Sequence, residues 1–240
     1  MRPYLAQARA EVRLALTQGE SLLVTLGIPL VLLVLFDVVR VLPTGTAHPV
    51  SFLAPGILAL AIMATGLVSL SIATAFERSY GVLKRLGATP LSRGGLLAAK
   101  TTAIVVVEAI QLVLVVAVGL ALGCHPGGGW GSALGAILLG TVAFSALGLL
   151  LAGALKAELV LGLANAAYLV FLVLGGMLFP LDRLPGALRL VAEALPGGAL
   201  SGALFHALGT GTTVPVESWV VLGVWAVVAS IAAAASFRWE

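Results

Sequence analysis

The run FLAPGILALAIMATGLVSLSIATA, residues 52–75, contains no charged side chain. As a helix it is about 36 Å long, enough to cross the ~30 Å hydrocarbon core of a bilayer. Five further runs near residues 21–42, 96–122, 132–155, 159–179 and 218–237 are of similar length and mainly apolar, the first two of them carrying isolated charges. Across the 240 residues 10% are charged and 60% hydrophobic, with mean hydropathy +1.15. A soluble domain carries about 25% charged residues. In lipid the backbone finds no water to bond, so a spanning segment must be a helix or part of a closed barrel. Barrel strands alternate in polarity, and these runs do not. The expected fold class is therefore an all-α membrane protein with six transmembrane helices, residues 21–240 forming one membrane domain.

Residues 1–20 read differently. Leu5, Ala8, Val12, Ala15 and Leu16 recur at helical spacing, flanked by Arg2, Arg9 and Arg13. This predicts an amphipathic helix lying in the interface, its arginines reaching anionic headgroups. The polar lead-in is long and the apolar run after it exceeds the usual ~7–15 residues of a signal peptide, so no cleavage is expected. The first span contains Pro29, which membrane helices tolerate. Asp37 and Arg40 near its far end are placed to snorkel to water as a pair, and residues 43–51, with His48, form an external turn.

The candidate substrate path consists of Glu108 and Gln111 inside the third span and Asn165 and Tyr168 inside the fifth. A carboxylate at mid-membrane costs roughly 2.5–3.5 kcal/mol, while each Leu, Ile or Val returns about 0.3–0.6, so the third span survives its charge. Glu108 reads equally as a cation or proton site and as a hydrogen-bonded structural group. Between the fifth and sixth spans, residues 179–217 hold two apolar pieces, 187–195 and 199–208, separated by Pro196-Gly197-Gly198. Each is too short to cross, which predicts an external re-entrant or interfacial pair.

Six crossings place both termini on one side. That side collects Arg2, Arg9, Arg13, Arg78, Lys84, Arg85, Arg93, Lys100, Lys156 and Arg238, against Arg40, Arg183 and Arg189 on the other. The excess marks the termini as cytoplasmic. A seven-crossing chain, with residues 199–208 spanning, would put Arg238 outside. Trp219 and Trp239 are expected at the two interfaces of the last span.

Motifs for other chemistries fail on inspection. Residues 94–101, GGLLAAKT, fall one glycine short of a phosphate loop at Ala99, with no strand before them and a span after, so the chain is expected to bind no nucleotide itself. Cys124 is the lone cysteine, beside His125 in a glycine-rich loop, too few ligands for a metal. No Ser-His-Asp set, carboxylate pair or HExxH offers a catalytic residue. The pairs Gly119 and Gly123, Gly131 and Gly135, Gly198 and Gly202 are spaced for close helix packing, within one chain or between two. A net charge of +3 gives no reason to expect nucleic acid.

The longest polar interruption is FERSYGVLKRLGATPLSRGGLLAAK, residues 76–100. Wound as a helix, residues 76–86 put Phe76, Ser79, Tyr80, Val82, Leu83 and Leu86 on one face and Glu77, Arg78, Gly81, Lys84 and Arg85 on the other. Gly87 supplies a stop, and Thr89 with Pro90 an N-cap and first residue for the next helix. Such a segment can rest on anionic lipid or dock on a protein.

This stretch resembles the cytoplasmic loop of the type-2 ATP-binding-cassette export permeases: an acidic residue, then G(T/V)LKRL, then TPL near an arginine. The matching positions are Glu77, Gly81, Val82, Leu83, Lys84, Arg85, Leu86, Thr89, Pro90, Leu91 and Arg93. GGMLFPLDRLPGALRLVAEALP, residues 175–196, is similar to the family's segment after the fifth span, where Phe179, Pro180, Leu184, Pro185 and Pro196 lead into and through the re-entrant pair. Ser79 departs from the pattern, which often has a second acid there.

The resemblance implies that residues 76–95 form a coupling helix seated on a separate ATP-binding-cassette subunit through Glu77, Arg78, Gly81, Leu83, Lys84, Arg85, Leu86, Thr89 and Pro90. It implies a dimer with a second permease copy, identical or paralogous, in a bacterial inner or plasma membrane. ATP and Mg²⁺ would be held by the partner subunit and no cofactor by this chain, whose cargo is a drug, lipid or similar amphipathic molecule. Two readings compete: a stand-alone proton-coupled carrier using Glu108, and a membrane scaffold with no flux.

Overall fold

The computed structural model describes residues 2–39, 49–177, 181 and 185–236, without the side chains of residues 2, 20, 21 and 49. The Asp37–Arg40 pair, His48, Phe179, Pro180, Arg183, Leu184, Arg238 and Trp239 therefore lie wholly or partly outside the described residues. The regular structure of the described residues is entirely helical, with no strand among them. In order it forms α1 (Arg2–Thr17), α2 (Gly19–Val39), α3 (Pro49–Met63), a π-helical segment (Ala64–Ser69), α4 (Leu70–Ser79), α5 (Val82–Gly87), α6 (Arg93–Ala121), α7 (Trp130–Ala154), α8 (Ala157–Leu174), α9 (Gly186–Ala194), α10 (Pro196–Leu204), a second π-helical segment (Phe205–Thr210) and α11 (Val216–Ser236).

Six of these helical stretches are long and apolar enough to cross a membrane. The second, Val50–Ser79, runs through α3, the first π-helical segment and α4. It is the most enclosed, with 72% of its most apolar window buried, against 11% for the first span, which stands at the edge. Around α3 the main core joins Leu53, Ile57, Met63, Phe144, Leu200 and Leu204. Glycine lets α7 approach it closely: a Cβ at Gly148 would stand 2.6 Å from the Gly66 carbonyl oxygen. That contact is with backbone and cannot swing away. Gly148→Val should therefore cost about 1–3 kcal/mol by overpacking, read as a lower thermal midpoint in detergent.

α9 and α10 form the re-entrant pair expected between the last two spans, bent by 86°. The separator is shorter than the sequence suggested, because Pro196 opens α10 at a position where its missing N–H costs nothing. Gly198 belongs to that first turn, and its absent Cβ leaves room for the Ala192 carbonyl. α10 is buried, while α9 is largely exposed. The Gly127 N–H donates to the Leu208 carbonyl at 2.7 Å and the Trp225 indole to that of Ala194 at 3.0 Å, tying the pair to the α6–α7 loop and to α11. Trp219, in the first turn of α11, packs on α7 beside Gly135.

Beside that end, Cys124 is buried, and burial pushes its thiol up from its ordinary value despite a hydrogen bond with Ser51, leaving it a poor nucleophile. The opposite end of the bundle gathers α1, the α4–α6 connection and the α7–α8 turn. α11 also finishes there, with Ala233 packed against Leu70 and Leu149.

Candidate functional site

The polar connection after the second span does not form one two-faced helix. α4 carries the span's helix out through Ser79, and Gly81 then turns left-handed at φ 72°, ψ 12°. A side chain is rarely found in that conformation, so glycine permits the break. α5 restarts at Val82 in a new direction, and the periodicity drawn across residues 76–86 is lost at this point. Tyr80 and Val82, expected on the packed face, are exposed, Tyr80 by 74%. Leu83 is fully buried against Leu91 and Leu96 and roots α5 on the start of α6. Lys84 and Arg85 stand outward at the tip.

Capping differs from expectation as well. The Thr89 hydroxyl donates back to the Leu86 carbonyl at 2.6 Å, and Ser92 is the N-cap of α6, accepting the Gly95 N–H at 3.1 Å. Burying Leu91 with Leu83 leaves residues 91 and 92 outside any helix, Ser92 with extended backbone, and delays the start of α6. Gly87 closes α5 without a left-handed turn.

Glu77 and Arg78 face into the bundle. The Arg78 guanidinium donates to the Gly153 carbonyl at 2.6 Å and to that of Leu155, bonding the bare carbonyl end of α7. Glu77 meets the Lys100 ammonium at 2.7 Å, and Glu11 of α1 meets the same ammonium at 3.1 Å. Lys100 is 2% exposed, Glu11 12% and Glu77 22%. One buried cation thus ties the N-terminal helix, the end of the second span and the third span together. The Tyr4 hydroxyl and Thr102, 2.8 Å apart, fasten α1 to α6 beside it. Lys100 is the lysine of the apparent phosphate loop, and the structure spends it on this cluster within α6.

The four side chains of the candidate substrate path are not brought together. Glu108 is buried, bonded by Thr65 at 3.3 Å and by Thr141, and so links α6 to the π-helical segment and to α7. Gln111 is buried and donates to the Thr25 carbonyl of α2 at 2.9 Å. Asn165 is exposed on α8 and bonds its own helix at Leu161, while Tyr168 packs against the main core. Glu11, Thr65 and Thr141 escaped sequence reasoning. A lysine inside an apolar helix signals that a counter-charge is needed, but nothing in one sequence says it comes from position 11.

A family model described as ABC-2 type transporter matches residues 4–206, from the first turn of α1 into the second π-helical segment. The chain belongs to the ABC-2 type transporter family. This ABC-2 type transporter chain is a multi-pass membrane subunit that carries out transport and is not itself catalytic, and ABC-2 permeases work with an ATP-binding subunit. A search of curated proteins finds no match to it. Every residue of the α4–α5–α6 connection falls within the matched stretch.

Proposed function

We propose that this chain is the permease of an ATP-binding-cassette exporter in a bacterial cell membrane, with both termini in the cytoplasm and a second permease copy beside it. It moves a hydrophobic or amphipathic cargo outward using ATP and Mg²⁺ held by a separate subunit. The observation that carries the reading is the α5 tip: Lys84 and Arg85 point outward from a turn rooted by buried Leu83, at the end of the bundle where Arg9, Arg13, Arg93 and Lys156 also lie. A cationic knob fixed to the base of the most buried span suits an acidic cleft on a soluble partner. Movement of that partner would reach the second span directly through α4, and α7 through Arg78.

The deciding experiment is reconstitution with and without the ATP-binding subunit. ATP-dependent outward flux with the subunit, and none without it, is the expected result; brisk flux from the chain alone would overturn the proposal. Glu108→Gln should leave the ATP-driven rate within about twofold, because an amide can hold both threonine contacts. Abolition of gradient-driven flux by that substitution would instead favour a proton-coupled carrier. A C-terminal tag should be accessible from the cytoplasm alone.

A further inference from the structure

A cavity of about 140 Å³ lies between α1, α2, α4 and α6, distinct from the α5 tip. Its walls are mainly apolar, formed by Leu14, Leu22, Leu70, Ile104 and Val107 with Gln18, Thr25 and Ser69 among them, and its far end reaches Thr65 in the π-helical segment. The near end is lined by Glu11, Glu77 and Lys100. Among the described lining residues, two carboxylates therefore face one ammonium. Lys100 meets Oε2 of Glu77 at 2.7 Å and both oxygens of Glu11 within 3.2 Å, and Oε1 of Glu11 also accepts from the Gln7 amide at 2.8 Å. One negative charge is left over beside an apolar chamber, where an uncompensated charge is costly. The complementary guest brings a single positive charge and an apolar body. A cavity of ~150 Å³ admits a group the size of benzene. The space thus suits an ammonium head and its first few carbons, with the rest of the chain emerging along α1 and α2 into lipid.

We infer that this cavity binds the head end of a cationic amphiphile, its ammonium at Glu77 and Glu11 and its first methylenes along Leu22, Leu70 and Ile104. The inference deepens the permease reading and rests on it for the meaning of the ligand as cargo, but binding requires neither ATP nor a partner. The test uses the full chain in phosphatidylcholine nanodiscs with radiolabelled dodecylammonium, dodecyl sulfate and dodecanol, and subtracts uptake by empty discs. Saturable binding of about one dodecylammonium per chain is expected, at least about tenfold tighter than dodecyl sulfate. Glu11→Gln should weaken it about tenfold, the loss of one charge-assisted hydrogen bond, and Ala103→Phe, which fills the chamber, should abolish saturation. Uptake equal to that of empty discs, or equal affinity for the sulfate, would overturn the site using the unsubstituted chain alone, whether or not the variants fold. Selective binding without ATP-driven flux would keep the site and remove the exporter reading; flux without such binding would do the reverse.

Discussion

Lys100→Met is expected to destabilise the protein by about 3 kcal/mol, seen as a fall of roughly 6–12 °C in thermal midpoint in detergent. The stem of the side chain keeps its packing, so the loss comes from the charge. Lys100 is 2% exposed and contacts both Glu11 and Glu77. Removing it leaves two carboxylates facing each other with no cation between them. Loss of one partner from a fully buried pair costs about 3–5 kcal/mol. The partial exposure of Glu11 and Glu77 places this case at the lower end. Lys100→Arg should recover part of the loss. The triple variant with Glu11→Gln and Glu77→Gln should recover most of it, because a well-packed neutral cluster can match a buried ion network. A wild-type midpoint for Lys100→Met alone would show that the cluster does not hold α1 to the bundle.

Reversing both tip charges, Lys84→Glu with Arg85→Glu, should leave stability within about 0.5 kcal/mol of the original, a shift of about 1–2 °C in thermal midpoint, since both side chains are exposed on α5. The same variant should lose at least about tenfold in capture of the ATP-binding subunit and in the ATPase stimulation that follows. The two measurements separate this pair from Glu77 and Arg78. Those residues were expected on the same docking face, but they are bonded to Lys100 and to the end of α7. Glu77→Ala should therefore lower stability before it affects partner binding. Undiminished capture by the reversed tip would exclude Lys84 and Arg85 as the docking charges.

The two ends of the polar connection differ in how far they could be read. Residues 82–86 carried a helical, basic signature, and Val82–Gly87 is a helix with Lys84 and Arg85 outward. Residues 76–80 shared the same wheel, yet they extend the preceding span, because a membrane helix with satisfied hydrogen bonds continues until something stops it. Gly81 is that stop. Whether a glycine stays helical or turns left-handed depends on what the next residues gain, and here Leu83 gains a buried site with Leu91 and Leu96. The intramembrane polar residues divide in the same manner. Glu108 was legible as a group needing partners, but Thr65 and Thr141, which supply them, look in the sequence like any threonine in a span.

From its sequence alone this chain was bound to be a helical membrane protein with six helices able to cross and a bent pair before the last. Hydropathy is summed over some twenty residues, and lipid leaves the backbone no alternative. Tertiary structure alone decided which charges meet. Glu11 and Lys100 are 89 positions apart, and their pairing depends on α1 folding back against α6. That arrangement is set by packing between helices, whose energy is shared among many weak contacts and leaves no local mark in the order of residues.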